Sequence, residues 1–250
     1  MTPFDVPSKD VQRSWRADLF THLDGLALCG VVPVLAKGGM LDEVLSVGGD
    51  VDDLAAVFGA NAGYLNVGLR MLCSQGILQA HRGEDKVNYM PRPLEDVGGW
   101  VDQKDLYALG RAWMEHAVGM WNDPETPLFQ EAQDALVQLK DAVVALQHQD
   151  APWARRVRTH LEGALVAPWL VALGTLHGTE PLTHWEDVDA AVAQLHPSKQ
   201  KAWHEVAAAL AWDRSLRGGF FLRRASAYGV TTSYTQTFLW AKELLLGEGN

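Results

Sequence analysis

The stretch that most constrains this chain is Asp50–Met90, DVDDLAAVFGANAGYLNVGLRMLCSQGILQAHRGEDKVNYM. In VDDLAAVFG, Val51, Leu54, Ala55 and Phe58 recur at helical spacing on one face, and Gly59 stops the helix. In AGYLNVGLRMLCSQG, Asn61 is placed as the cap and Leu65, Leu69, Leu72 and Cys73 form the apolar stripe. Gly76 takes the C′ position that favours a left-handed backbone. ILQAHR and KVNYM then flank Gly83-Glu84-Asp85, a turn of hairpin length and chemistry. Helix, turn, helix and a two-stranded hairpin make a winged-helix pattern.

Such a pattern serves DNA reading and protein packing alike, and charge separates the two. Between Leu41 and Gly76 the acids are Asp42, Glu43, Asp50, Asp52 and Asp53, and the only base is Arg70. A duplex reader meets phosphates with Lys and Arg, so this module has the wrong sign for that task. The whole chain of 250 residues carries a formal charge of −10, which argues against nucleic acid or an anionic membrane as the main partner.

Around this module the chain reads as mainly α. Asp10 to about Lys37 is helical, and after Leu23 its apolar residues spread over more than one face. That suits burial between subunits or domains, with Leu26 to Leu35 as the expected contact. Pro33 is expected to kink it or start a new turn, and Lys37-Gly38-Gly39 to close it. Pro91-Arg92-Pro93 marks a boundary, giving a first domain at 1–93 and a helical region at 94–250. In the second region the pattern predicts helices over 101–121, 125–148, 153–174, 186–195 and 199–216. Asp150 is placed to cap the third, with Pro152 in its first turn. Arg217-Gly218-Gly219 is read as a break and 174–183 as a loop. FFLRRASAYG and SYTQTFLWAKELLLG supply the last helical segments, with Ser233 as a cap and Tyr228 and Tyr234 near the loop before it. No alternating βα pattern occurs, so no parallel sheet is expected. The expected class is mainly α: a winged-helix-like module followed by a multi-helix lid or bundle region.

The chemistry-bearing patterns are sparse. The glycine pairs Gly38-Gly39, Gly48-Gly49, Gly98-Gly99 and Gly218-Gly219 do not follow a buried strand, and no dinucleotide or phosphate loop occurs. No cofactor is therefore expected to be bound by these residues alone. Nine histidines invite a metal reading, with His177 and His184 flanking Glu180 and His196 and His204 eight apart. Pro197 intervenes in the second pair, no HExxH is present, and the cysteines lack ligand spacing, so no metal is expected. His22 and Asp24 face different sides of one helix. No GxSxG occurs and neither Cys29 nor Cys73 has a basic neighbour, so no catalytic residue is assigned. Arg155, Arg156 and Arg158 form a basic patch that suits a solvated helix face, a phosphopantetheine arm or an acidic carrier domain. Tyr228, Ser233 and Tyr234 are the candidates for a lid or cleft. Two cysteines in apolar helical context read as buried thiols, which suits a reducing, cytoplasmic setting. The start lacks a secretory signal, and no run reaches the roughly 18 apolar residues a membrane span needs.

LDEVLSVGGDVDDLAAVFGANAGYLNVGLRMLCSQGIL resembles the N-terminal region of S-adenosylmethionine-dependent methyltransferases embedded in bacterial polyketide synthases. It is also similar to the dimerisation module of small-molecule O-methyltransferases. The likeness continues in LEGALVAPWLVALG and in FFLRRASAYGVTTSYTQTFLWAKELLLG, so it runs from about residue 20 to 249. The resemblance implies a Rossmann-like core with a glycine-rich S-adenosylmethionine loop, which is expected beyond Asn250. It makes this chain the front part of such an enzyme, a winged-helix module plus a helical lid over a catalytic core outside the chain. The partners implied are that core or neighbouring polyketide synthase domains, an acyl carrier protein, and a second copy in a homodimer, with no nucleic acid and no membrane. Within polyketide systems the resemblance points to loading modules, where such a methyltransferase sits beside a GNAT-like decarboxylase. The alternatives are a non-catalytic adaptor of a loading module and a winged-helix transcription regulator, the latter disfavoured by the acidic charge.

Overall fold

A computed structural model describes residues 4, 6–83, 86–178 and 180–239, those of 94–96 and 235–239 by their backbone alone. It is mainly α, with one small antiparallel sheet among the described residues. The chain divides into two compact units, Ala27–Ala108 and the residues up to Leu26 taken with Leu109–Tyr234. Helix α1, Lys9–Lys37, begins in one unit and ends in the other.

The unit Ala27–Ala108 holds α2 (Met40–Ser46), β1 (Gly49–Asp50), α3 (Val51–Phe58), α4 (Ala62–Ser74), β2 (Leu78–Arg82), β3 (Val87–Pro91) and α5 (Leu94–Val101). This is the order of a winged helix. Local signals explain its ends. Asp50 caps α3 by accepting from the amides of Asp52 and Asp53 at 2.9 and 3.0 Å. Gly59 ends α3 at φ 63°, and Asn61 caps α4 by accepting from Gly63 and Tyr64. Gly76 has φ 71°, as its place after α4 requires. The wing gains a strand the sequence did not announce: β1 pairs with β3, so the order is β1-β3-β2. Gly48 makes this possible, with φ 73° and the Tyr89 carbonyl 2.5 Å from where a Cβ would stand. Arg82 pairs with Val87 at the tip, and the Glu84 and Asp85 of the expected turn lie outside the described residues. Leu54, Leu65, Leu69, Leu72, Leu78 and Tyr89 form the core.

In the other unit, α6 (Leu106–Asn122, from Leu109 on), α7 (Gln130–Gln147), α9 (Trp185–Val192), α10 (Pro197–Ala209), α11 (Leu216–Leu222) and α12 (Ala225–Leu239, as far as Tyr234) accompany the largely buried α8 (Pro152–His177). The indole of Trp169 on α8 lies 5.9 Å from that of Trp113 and 6.1 Å from that of Trp203. Helices α1 and α8 cross backbone to backbone. A Cβ on Gly25 would lie 2.3 Å from the His160 carbonyl, and one on Gly163 would lie 2.4 Å from the His22 carbonyl.

Several sequence expectations are corrected here. Leu26 to Leu35, expected to face a second subunit or domain, are largely buried within the chain itself. Pro33 lies inside a continuous α1. That helix has the length and composition of a membrane span, at mean hydropathy 1.7 over 18 residues, but 61% of the window is buried in the protein. Ala151, not Asp150, is the residue before α8. Helix α8 continues to His177, where Gly178 at φ 94° ends it. Helix α7 starts at Gln130, because Asp123 accepts from Thr126 in a local turn and Pro127 follows. Helix α10 stops early, where Ala211 and Arg214 take positive φ. Gly218-Gly219 is helical rather than a break. Ser215 caps α11 through the Gly218 amide, and a Cβ on Gly218 would lie 2.1 Å from the Trp212 carbonyl.

Candidate functional site

Two features of the helical unit have the chemistry of a site, a buried polar network and a cavity. The network gathers where α1 and α8 meet α11 and α12. His22 is fully buried, its ring stacked on Phe221 at 4.9 Å. Its Nδ1 lies 2.6 Å from the Tyr228 hydroxyl, and its Nε2 faces Glu162 Oε2 at 3.5 Å. That second gap is too long for a well-formed hydrogen bond, so the contact is electrostatic. Glu162 is 1% exposed and also meets Arg217 at 3.0 Å and Arg158 at 3.3 Å. Arg217 reaches Asp18 at 3.6 Å.

Burial pushes the Glu162 carboxyl up, but the facing His22 and the charges of Arg217 and Arg158 outweigh it, and the net shift is downward. Burial, helped by Glu162, holds the Tyr228 phenol well above its ordinary range. His160, two residues before Glu162 on the same helix, is pushed down to about 3 by burial and then by Arg156 and His22. A paired carboxylate and a neutral phenol are stable occupants of such an interior. The arrangement ties three sequence-distant segments together.

The cavity, about 350 Å³, lies between the C-terminal end of α8 and the corner of α11 and α12. Leu170, Leu182 and Leu222 give it an apolar lining, and Thr175, Ser226 and Arg223 add polar groups. Glu180 lines it and is exposed.

The sequence candidates separate. Tyr228 is fully buried inside α12 and bonds His22, so it does not lie by a loop. Ser233 is an interior residue of α12, bonded to the Val230 carbonyl, and is no cap. Tyr234 is 69% exposed on the same helix. The structure therefore does not bring the three together. Trp240 and the residues after it, part of the last expected helix, lie outside the described residues. His184 precedes α9 and accepts or donates within its own turn to Thr183 and Asp187, and His196 accepts from the Ser198 amide. Among the described residues no group of three His, Cys, Asp or Glu could hold a metal ion. Arg155 and Arg156 are exposed while Arg158 turns to Glu162. Burial raises both cysteine thiols, Cys29 most, so neither is a thiolate. The sequence reading considers His22 only beside Asp24, and it does not single out Glu162. Their signal was polar residues on otherwise apolar helical faces, and only the helix crossing shows that they meet.

In the winged-helix unit, the helix a DNA reader would present is α4. It exposes Tyr64 and Val67, each 45% exposed, and α3 adds Val57 at 75%. The one cation among the helices α2 to α4 is Arg70.

Residues 15–80 match the family model of the AprA N-terminal domain, a stretch under half of the chain. No curated protein matches the chain.

Proposed function

We propose that this chain is the front, non-cofactor-binding part of an S-adenosylmethionine-dependent methyltransferase of the polyketide synthase type. It positions and covers a catalytic core that methylates an acyl-carrier-bound substrate. The observation that carries this reading is the surface of α3 and α4, apolar at Val57, Tyr64 and Val67 and acidic around them. Such a face suits protein contact and lacks the cations that duplex DNA requires. The match of residues 15–80 to an N-terminal domain of a biosynthetic enzyme supports the same assignment. The chain alone holds the lid and the winged helix, and the methyl donor binds to the core.

The test is methyl transfer from S-adenosylmethionine to an acyl-carrier substrate, measured for the isolated chain and for the chain joined to the sequence that follows it in frame. Activity confined to the longer protein is expected. An extended protein that binds S-adenosylmethionine yet transfers no methyl group would sink the proposal. A second reading, a non-catalytic adaptor of a loading module, is favoured by the same exposed Val57, Tyr64 and Val67. It expects a longer protein with neither cofactor binding nor transfer.

A further inference from the structure

The segment that precedes α1 is gripped at Phe4. That residue is 5% exposed, while Val6 is 70% exposed and Ser8 is exposed. Phe4 belongs to no helix or strand, yet both its main-chain groups bond to remote parts of the chain. Its N–H donates to the Thr183 carbonyl at 2.8 Å, and its carbonyl accepts from Arg223 Nη2. Its ring meets the Trp185 indole edge-on, with centres 5.1 Å apart. The Arg223 guanidinium lies 5.4 Å from the ring centre. Gly219 on α11 leaves the slot for that ring, since a Cβ there would lie 2.8 Å from Phe4 Cγ.

The walls of this socket have partners of their own. Arg214 lies 5.6 Å from the centre of the Trp185 ring and pairs with Asp189 at 2.6 Å. Ser215 caps the helix that carries Gly219. Walls held in this way stay in place when the occupant leaves. The socket reads one aromatic ring in a slot, together with the N–H and the carbonyl of the same residue. Peptide docking works by this division, in which main-chain bonds supply affinity and a side-chain pocket supplies specificity. Arg223 also lines the cavity, so whatever fills the socket fixes one group of the cavity wall.

We propose that this socket is a docking site for an extended, phenylalanine-bearing segment of another protein, and that Phe4 closes it in cis as an autoinhibitory plug. The tether from Phe4 to the start of α1 at Lys9 is short. It gives the plug an effective concentration on the order of millimolar, which shuts out weak competitors. A second copy of the chain is not the expected source. Its own Phe4 is held by the same contacts in its own socket, so an exchange between copies adds none. A partner segment displaces the plug by adding contacts on either side of its phenylalanine, where Phe4 has the exposed Val6 for a neighbour.

Fluorine magnetic resonance of the peptide TPFDVPS, fluorinated on its phenylalanine ring, tests the site on the full chain. Phe4→Ala removes the plug, and that chain should bind the peptide at least about tenfold tighter than the unchanged one. Alanine in place of the peptide's phenylalanine should weaken binding about tenfold, and so should a methyl group on that residue's amide nitrogen. Phe4→Ala combined with Gly219→Val should lose binding to the same extent, because the new side chain fills the slot. A folded Phe4→Ala chain that ignores the peptide would overturn the proposal, as would equal binding by the unchanged chain. The unchanged fold supplies a second reading, with fluorophenylalanine placed at position 4 alone. Peptide in excess over the millimolar tether concentration should move that signal toward its solvent value, and a signal that never moves also overturns the proposal. Mixing the Phe4→Ala chain with a Gly219→Val chain tests the other occupant. A complex of the two on size exclusion would overturn the partner source and give the socket to a second copy.

Discussion

His160 and Glu162 sit two residues apart on α8, yet the interior treats them in opposite ways. Glu162 keeps its charge because His22, Arg217 and Arg158 face it. His160 loses its charge, with its pKa pushed down to about 3 by burial. The consequence for stability has a definite sign. Below the unfolded value, near 6.5, the unfolded chain binds a proton that the folded chain refuses, down to about pH 3. The contribution of neutral His160 is therefore complete above pH 6.5 and is lost as pH falls through that window. Urea unfolding between pH 7 and 4.5 should show stability falling by up to about 1.4 kcal/mol per pH unit from this one group. His160→Asn should flatten the slope, and an unchanged slope would place the proton elsewhere. Little of this was legible beforehand. A histidine in a helical sequence does not state its burial, and Tyr228, singled out as a cleft residue, is a buried partner of His22 because α12 turns it inward.

At the scale of elements, the signals that act over a few residues held well. Asn61, Gly59 and Gly76 act where the sequence placed them, because capping and left-handed termini depend on neighbouring backbone groups alone. Glycines inside helices were misread. Gly218 permits contact with the Trp212 carbonyl and Gly219 with Phe4, contacts that involve residues remote from the helix turn itself. Gly25 and Gly163, which carried no sequence signal, allow α1 and α8 to touch main chain to main chain. Gly163→Ala must push α1 away from α8, since its Cβ would lie 2.4 Å from a backbone oxygen. A loss of roughly 1–3 kcal/mol is expected, the usual range for overpacking. A melting temperature equal to that of the unchanged protein would show that the crossing is not tight.

Over the whole molecule, charge and apolar pattern bear on partners more directly than fold does. A winged helix with Tyr64 and Val67 on its α4 surface and Arg70 as the one cation of α2 to α4 should not hold duplex DNA. Fluorescence anisotropy with random duplex at low salt should stay flat across micromolar protein, and salt-sensitive binding would return the regulator reading to first place. The sequence by itself determined the helical class, the winged-helix order and the absence of any parallel pairing expectation, because hydrophobic period, caps and turn residues are local properties. Only the tertiary structure decided the third strand of the wing, the backbone crossing of α1 with α8, the His22–Tyr228–Glu162 network and the cavity between α8 and the corner of α11 and α12. Each of these joins residues far apart in the chain. Their meeting depends on how helix faces pack, and no local pattern encodes that geometry.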